Sequence, residues 1–238
     1  MPGIGQLNEK PLHASLREWY SLPGDEFEVE VDGYVIDIVR EDLLLEIQTA
    51  NLAAMKTKLK NLTRTHPVRV IYPIAQEKWI VKLPKKSGDK PTRRKSPKRG
   101  CVDDLFWELV SFPQLLANPN FSMELLLIGE EEVRKHEEGR SWRRRGWVTH
   151  ERRLLDVRDR RVYDDLACWK EFLPESLTEF TARELADDRG IPTHLAQRIV
   201  YCLRAAGVIK MIGKRGRAYM YRPADSCTNN QDCTGSTK

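Results

Sequence analysis

Gly33-Tyr-Val-Ile-Asp-Ile-Val-Arg-Glu-Asp-Leu-Leu-Leu-Glu-Ile-Gln-Thr49 carries the strongest structural signal of the chain. It holds two β-prone runs on either side of the polar pair Glu41-Asp42, and a two-residue loop at that pair makes a hairpin. Arg40 then pairs with Leu43, and counting back along the ladder sets Asp37 opposite Glu46. Directly opposed residues of an antiparallel pair have Cβ atoms about 5 Å apart, where like charges repel. Alternation groups Val35, Asp37 and Val39 with Leu44, Glu46 and Gln48 on one face and leaves Leu43, Leu45 and Ile47 for the other. Glu46 lies inside Leu43-Leu-Leu-Glu-Ile47, where an unpaired charge is costly to bury. A hard divalent cation between the two acids removes the conflict, because such ions take carboxylate oxygens and keep waters for chemistry.

The surroundings extend the pattern. Residues 7–20, with Leu7, Leu12, Leu16, Trp19 and Tyr20, read as an amphipathic helix with Asn8 as N-cap and Pro11 in its first turn. Residues 27–31 read as a strand. Leu52, Met55, Leu59 and Leu62 repeat at helical spacing until His66-Pro67 ends the run. Residues 68–74 and 78–83 read as two further, separate strands. Helix, three strands, helix and strand, carrying Asp37, eight residues, then Glu46-x-Gln48, resembles the catalytic core of the PD-(D/E)xK nuclease superfamily over about residues 4–83. The resemblance implies an α/β (α+β) fold of restriction-endonuclease type, a mixed sheet flanked by helices. It implies that Asp37 and Glu46 are ligands of Mg2+ or Mn2+, that Gln48 fills the third motif position and orients water, and that Glu9 of the first helix assists. The usual lysine is absent from position 48; Lys56, Lys58 or Lys60 on the next helix could restore its charge, and the sequence does not say which. His13 lies one helical turn from Glu9.

The chain of 238 residues has room for two modest domains. Its 40% hydrophobic and 32% charged composition describes a globular protein, and no apolar run approaches the ~20 residues of a membrane-spanning helix. No signal pattern opens the chain, so cytoplasmic residence is expected. Cys101, Cys168, Cys202, Cys227 and Cys233 have no CxxC spacing and read as free thiols. The net charge of +5 is uneven, since residues 84–100 hold eight basic residues and one acid. That Pro-, Ser- and Gly-rich segment reads as a flexible insertion, either a solubilising linker or an arm that grips phosphate. Further on, residues 103–116 read as helical with an interruption at Pro113, and 122–128 and 146–157 as strands. Between those strands, Ser141-Trp-Arg-Arg-Arg-Gly-Trp147 offers Arg143, Arg144 and Arg145 to phosphates and two tryptophans for stacking. The alternative is a strand turn with solvated arginines over packed rings.

From residue 161 the pattern changes. Thr181 starts a helix with Glu184 three residues on, a capping box. After Gly190-Ile-Pro192 comes a second helix from Thr193, capped by Gly207, and then two short strands around Gly213-Lys-Arg-Gly216. Helix, turn, helix and hairpin resembles the winged-helix family of DNA-binding domains. The resemblance implies that Thr193, His194, Gln197, Arg198, Tyr201 and Arg204 line the exposed side of a recognition helix, with Lys214, Arg215 and Arg217 on the wing. Winged helices also bind proteins, and the wing charges alone do not decide between the two. The expected organisation is a nuclease-like domain over 1–160 with the basic insertion, a small winged-helix domain over 161–223, and a disordered tail over 224–238. The expected function is a metal-dependent DNA endonuclease with DNA as partner, no membrane association and no small-molecule cofactor, a homodimer being left open. The alternatives are a catalytically inactive nuclease-fold DNA-binding protein and a protein-interaction scaffold.

Overall fold

The computed structural model describes residues 11–86 and 88–224. Glu9, Cys227, Cys233 and the expected tail lie outside the described residues, apart from Ala224. Helix α1 (Pro11–Tyr20) begins on Pro11, whose missing N–H would have no helical partner, and buries Leu12, Leu16 and Tyr20. Strands β1 (Glu26–Val31) and β2 (Tyr34–Arg40) form a hairpin through Asp32 and Gly33. Both turn residues have positive φ, 52° and 77°, as the primed hairpin turns require. Strand β3 (Leu43–Ile47) follows the Glu41-Asp42 turn with Arg40 facing Leu43, the expected register. A 3-10 turn (Leu52–Met55) leads into α2 (Lys56–Leu62), which returns the chain to β4 (Val68–Lys82), parallel to β3.

Strand β4 is one long strand and not the two expected. The residues between the two apolar runs form an irregularity at Ala75 and Glu77 rather than a break. Pro73 lies past the end of β3's pairing and before the start of β5's, so its missing N–H removes no bond from that edge. The basic insertion is also more ordered than its composition suggested. Residues 92–95 form β5 (Thr92–Lys95), antiparallel to Trp79–Lys82 of β4. The chain is then held along the same edge by Ser96 N–H to Lys78 O (2.8 Å) and Gly100 N–H to Ala75 O (2.9 Å). An edge that β3 leaves unpaired needs such a cover. The helical segment over 103–116 is interrupted at Pro113, as its sequence implies, and is shorter than expected before it: a 3-10 turn (Val102–Leu105), the short α3 (Phe106–Leu109) and a second 3-10 turn that starts at Pro113. Strands β6 (Phe121–His136) and β7 (Trp147–Tyr163) then complete a seven-stranded mixed sheet, ordered β1-β2-β3-β4-β6-β7 with β5 against β4.

The sheet is covered on both faces. Under α1, Leu12, Leu16 and Tyr20 pack on Ile38, Leu45, Ile47, Ile71, Leu126 and Ile128. On the other face Met55, Leu59 and Leu62 join Leu44, Val70 and Met123, and this layer runs on through Phe106 and Phe112 into the C-terminal residues. There a 3-10 turn (Cys168–Phe172) precedes β8 (Phe180–Thr181), α4 (Ala182–Arg189), α5 (Thr193–Ala205), β9 (Ile209–Arg215) and β10 (Ala218–Pro223), with sheet order β8-β10-β9. The capping box is present: Glu184 N–H donates to Thr181 Oγ1 (3.3 Å) and Thr181 N–H to Glu184 Oε2 (2.8 Å). Cys101, Cys168 and Cys202 are free thiols. Among the described residues no helix is long and apolar enough to cross a membrane.

Candidate active site

The β2–β3 ladder ends at Ile38 facing Leu45, one step before Asp37 and Glu46. Beyond that pair the Asp37 carboxylate takes the acceptor place of a ladder carbonyl: Ile47 N–H donates to Asp37 Oδ2 at 2.7 Å. The same oxygen lies 3.3 Å from His13 Nε2 on α1. Strict alternation fails here, because Ile36 packs with the α2-side layer and Ile38 with the α1-side layer. Asp37 therefore reaches along the gap between the strands, which corrects the expectation that it simply shares a face with Val35, Val39 and Glu46.

Glu46 is 5% exposed and turns to α2. Its Oε1 accepts from Lys58 Nζ at 2.5 Å, and Lys58 also donates to Val35 O at 2.6 Å. Burial pushes the Glu46 carboxyl up to about 7, with the nearby Asp37 charge adding to the rise, while Lys58 and the Asp37 backbone N–H oppose it. Of the three lysines on this helix, Lys56 and Lys60 are exposed and Lys58 is the one that reaches the site. Gln48 is turned onto its own loop: Nε2 donates to Ala50 O (2.5 Å) and Asn51 O (3.3 Å). That loop is tied from its far side by Arg152 Nη1 to Thr49 O (2.7 Å) and by Leu52 N–H to Glu108 Oε2 (2.9 Å). The amide nitrogen of Gln48 is thus committed to backbone, and only its carbonyl oxygen remains to orient a water.

Two carboxylates in like-charge conflict, one of them buried, suit a hard divalent cation in donor type. Asp37 Oδ1 makes no hydrogen bond among the described residues. Among those residues, three metal-donor atoms within 4.8 Å of one another occur at Asp164, Asp165 and Cys168. That group has a local explanation, since Asp165 Oδ1 accepts the N–H of Ala167 and of Cys168 at the start of a 3-10 turn.

The expected DNA-binding residues are dispersed. Arg143 lies over the ring of Trp142, itself 83% exposed, while Arg144 is drawn back to Glu132 (3.6 Å), and Arg145 sits in the turn at φ 51°. On α5, Thr193, His194, Gln197, Tyr201 and Arg204 are exposed. His194 and Arg198 face Trp107 of α3, with the Arg198 guanidinium 4.7 Å from the indole centroid. Lys214 covers Tyr219, Arg215 donates to Glu184 (2.6 Å), and Arg217 is exposed at the tip of the β9–β10 hairpin. Sequence reasoning missed the buried acids of β6. Glu124 is held by Tyr20, Arg69 and Arg160, and Glu130 by Lys78 and Arg152. Glu132 takes Lys78, Arg134 and Thr149. The signal was present, as arginines of the segment 152–161 face acids of the segment 124–132 across a hairpin.

The profile of a domain of unknown function, DUF8091, matches residues 10–164, which ends just after β7. The chain belongs to the DUF8091 family. The DUF8091 chain is also similar to an uncharacterized protein of Treponema pallidum (strain Nichols), at 28% identity over 221 residues that cover 92% of this chain and 87% of the relative. No solved structure matches.

Proposed function

We propose that this chain is a divalent-cation-dependent nuclease acting on DNA, with a restriction-endonuclease-like core and a C-terminal winged-helix-like unit that helps to engage the substrate. The observation that carries the reading is Glu46, buried in an apolar strand beside Asp37 and bound by Lys58 where β2 and β3 part. The element order supports it: α1, an antiparallel β1-β2-β3 meander, α2, and β4 parallel to β3. The order β8-α4-α5-β9-β10, with β10 between β8 and β9, supports the winged-helix part.

Asp37 and Glu46 would hold Mg2+ or Mn2+. A bound cation of that kind polarises a phosphoryl oxygen and lowers the pKa of its water. Lys58 fixes the Glu46 carboxylate and places an ammonium where the usual motif lysine is missing, so that a cation stands near the charge that develops on a scissile phosphate. His13 and the Ile47 N–H fix the Asp37 carboxylate, and Gln48 shapes the loop that closes the site. The commitment of the Gln48 amide to Ala50 and Asn51 favours one second reading, a DNA-binding protein on the same fold without turnover.

Calorimetric titration of the full chain with MnCl2 or MgCl2 tests the centre without needing a substrate. Wild-type protein is expected to bind the cation, and Glu46→Gln and Asp37→Asn to lose that binding while keeping the wild-type circular dichroism. Equal binding by both variants, or none by the wild type, contradicts the proposal.

A further inference from the structure

Two pockets follow one another along one face of the sheet, from the loop at residues 49–52 to the far end of β4, and outline a groove. Its first part is a pocket of about 390 Å³ lined by Tyr72, Lys78, Ile80, Lys98, Trp107 and Arg152, among others. That volume falls within the range of small-ligand pockets, about 300–1,000 Å³. Arg152 and Glu108, which line it, also tie down the loop at residues 49–52, so that loop stands between the pocket and the Glu46 site. Its second part, about 420 Å³, is lined by Lys82, Lys85, Asp89, Lys90, Thr92 and Trp147, among others. The two adjoin on one face of the sheet. Lys78, Ile80 and Lys82 alternate onto the same face of β4, and Lys82 of the second pocket faces Arg134 of the first across the ladder.

The charges along this groove fall into two kinds. Lys78, Arg134, Arg144 and Arg152 are compensated by Glu130 and Glu132 beneath them. Lys82, Lys85, Lys90 and Lys98 form no ion pair among the described residues, and the one acid that lines the second pocket with the first three is Asp89. Lys82 and Lys85 instead sit over the Trp147 ring, with Nζ at 4.6 and 5.5 Å from its centroid. Uncompensated lysines around an indole, at the end of a concave channel, suit a ligand that alternates phosphates with flat rings. In a duplex those rings are stacked inside and out of reach of Trp147.

We propose that this groove is a track for a single strand of nucleic acid, which leads from the Trp147 end to the Glu46 site. The proposal takes the nuclease reading as its starting point and names the form of the substrate. From Tyr72 to Lys82 the strand β4 spans roughly 33 Å at ~3.3 Å per residue, enough for several nucleotides. A base stacks on Trp147 as Lys82 and Lys85 turn from the indole to the flanking phosphates, and the pocket by Trp107 and Tyr72 takes a nucleotide next to the bond to be cut.

The test is fluorescence anisotropy of labelled oligodeoxythymidine of about twelve nucleotides, and of a duplex of equal length, with the full chain in EDTA. The single strand is expected to bind at least about tenfold tighter than the duplex. Trp147→Leu and the pair Lys82→Gln/Lys85→Gln should each weaken it about tenfold. The paired variant should also flatten the salt dependence by about 1.4 in slope, at ~0.7 per neutralised phosphate. The two lysines are surface cations without acidic partners, so their replacement keeps the fold if Trp147→Leu does not. Duplex binding as tight as single-strand binding, wild-type affinity in the lysine variant, or equal competition by polyglutamate would overturn the track. Single-strand binding that depends on Lys82 and Lys85, with no metal-dependent cleavage, would keep the track and remove the nuclease reading; cleavage that ignores strandedness and these residues would do the reverse.

Discussion

Lys58 is the residue on which the proposed chemistry turns, because it both neutralises a buried carboxylate and supplies the charge that position 48 lacks. Lys58→Met leaves Glu46 buried without its cation, and removing one partner of a buried charged hydrogen bond costs about 1–3 kcal/mol. Urea denaturation at pH 8 should show a loss of that size, and metal-dependent cleavage should fall while the fold persists. Unchanged stability and activity in the variant would make the contact incidental. The register that leads to Asp37 and Glu46 was legible because a two-residue turn sets Arg40 against Leu43. Lys58 was legible only as one of three lysines, since a 3-10 turn precedes α2 and its tighter winding breaks the phase from which a helix face is read. Nor could alternation foresee that the Asp37 carboxylate would replace a ladder acceptor and bond Ile47 N–H.

At the scale of the element, the long β4–β6–β7 ribbon combines a cationic groove with buried acids. Burial alone would raise the Glu132 carboxyl, but Arg134, Thr149 and Lys78 outweigh it and hold it at about 2. A carboxyl depressed in the folded state contributes stability above its unfolded value of 4.5 and loses it as pH falls toward 2. The loss is on the order of 3 kcal/mol across that window. Denaturation of wild type and Glu132→Gln at pH 6 and pH 3 should show a smaller pH dependence in the variant; parallel curves would contradict the pairing. The strand character of β6 and β7 was legible in their apolar runs, whereas their length was not. Residues 129–136 lay outside the expected strand because their acids lack an apolar alternation, and in the sheet Lys78, Arg134 and Arg152 neutralise them. The same holds for β5, whose lysine and arginine content reads as flexible although Arg93 packs 3.9 Å from the centroid of Trp79 and donates to Glu131.

Over the whole molecule, one apolar layer joins the sheet to the C-terminal unit. The rings of Phe106 and Phe172 are 4.7 Å apart, Trp169 stacks on Tyr163 at 4.8 Å, and Arg189 of α4 donates to the buried Asp103 at 2.5 Å. A linear pattern divides the chain near residue 160 because helix and turn signals restart there, and it cannot show that α5 packs on α3. A chain cut after residue 164 exposes Phe106, Leu109 and Phe112, which are at most 2% exposed in the full protein. It should aggregate or bind a hydrophobic dye, while the full chain should unfold in one calorimetric transition. Two separated transitions would contradict that continuity. Trp169→Ala should cost about 3–5 kcal/mol by opening a cavity at the joint, read as a drop in the denaturation midpoint. The measurement that bears most directly on the central claim is cleavage of single-stranded and duplex DNA by the full chain with Mg2+ or Mn2+, beside Asp37→Ala and Glu46→Ala. Wild type should show cation-dependent cleavage that EDTA stops and both folded variants lack; cleavage that persists in both variants, or none with either cation, would contradict a metal site at Asp37 and Glu46.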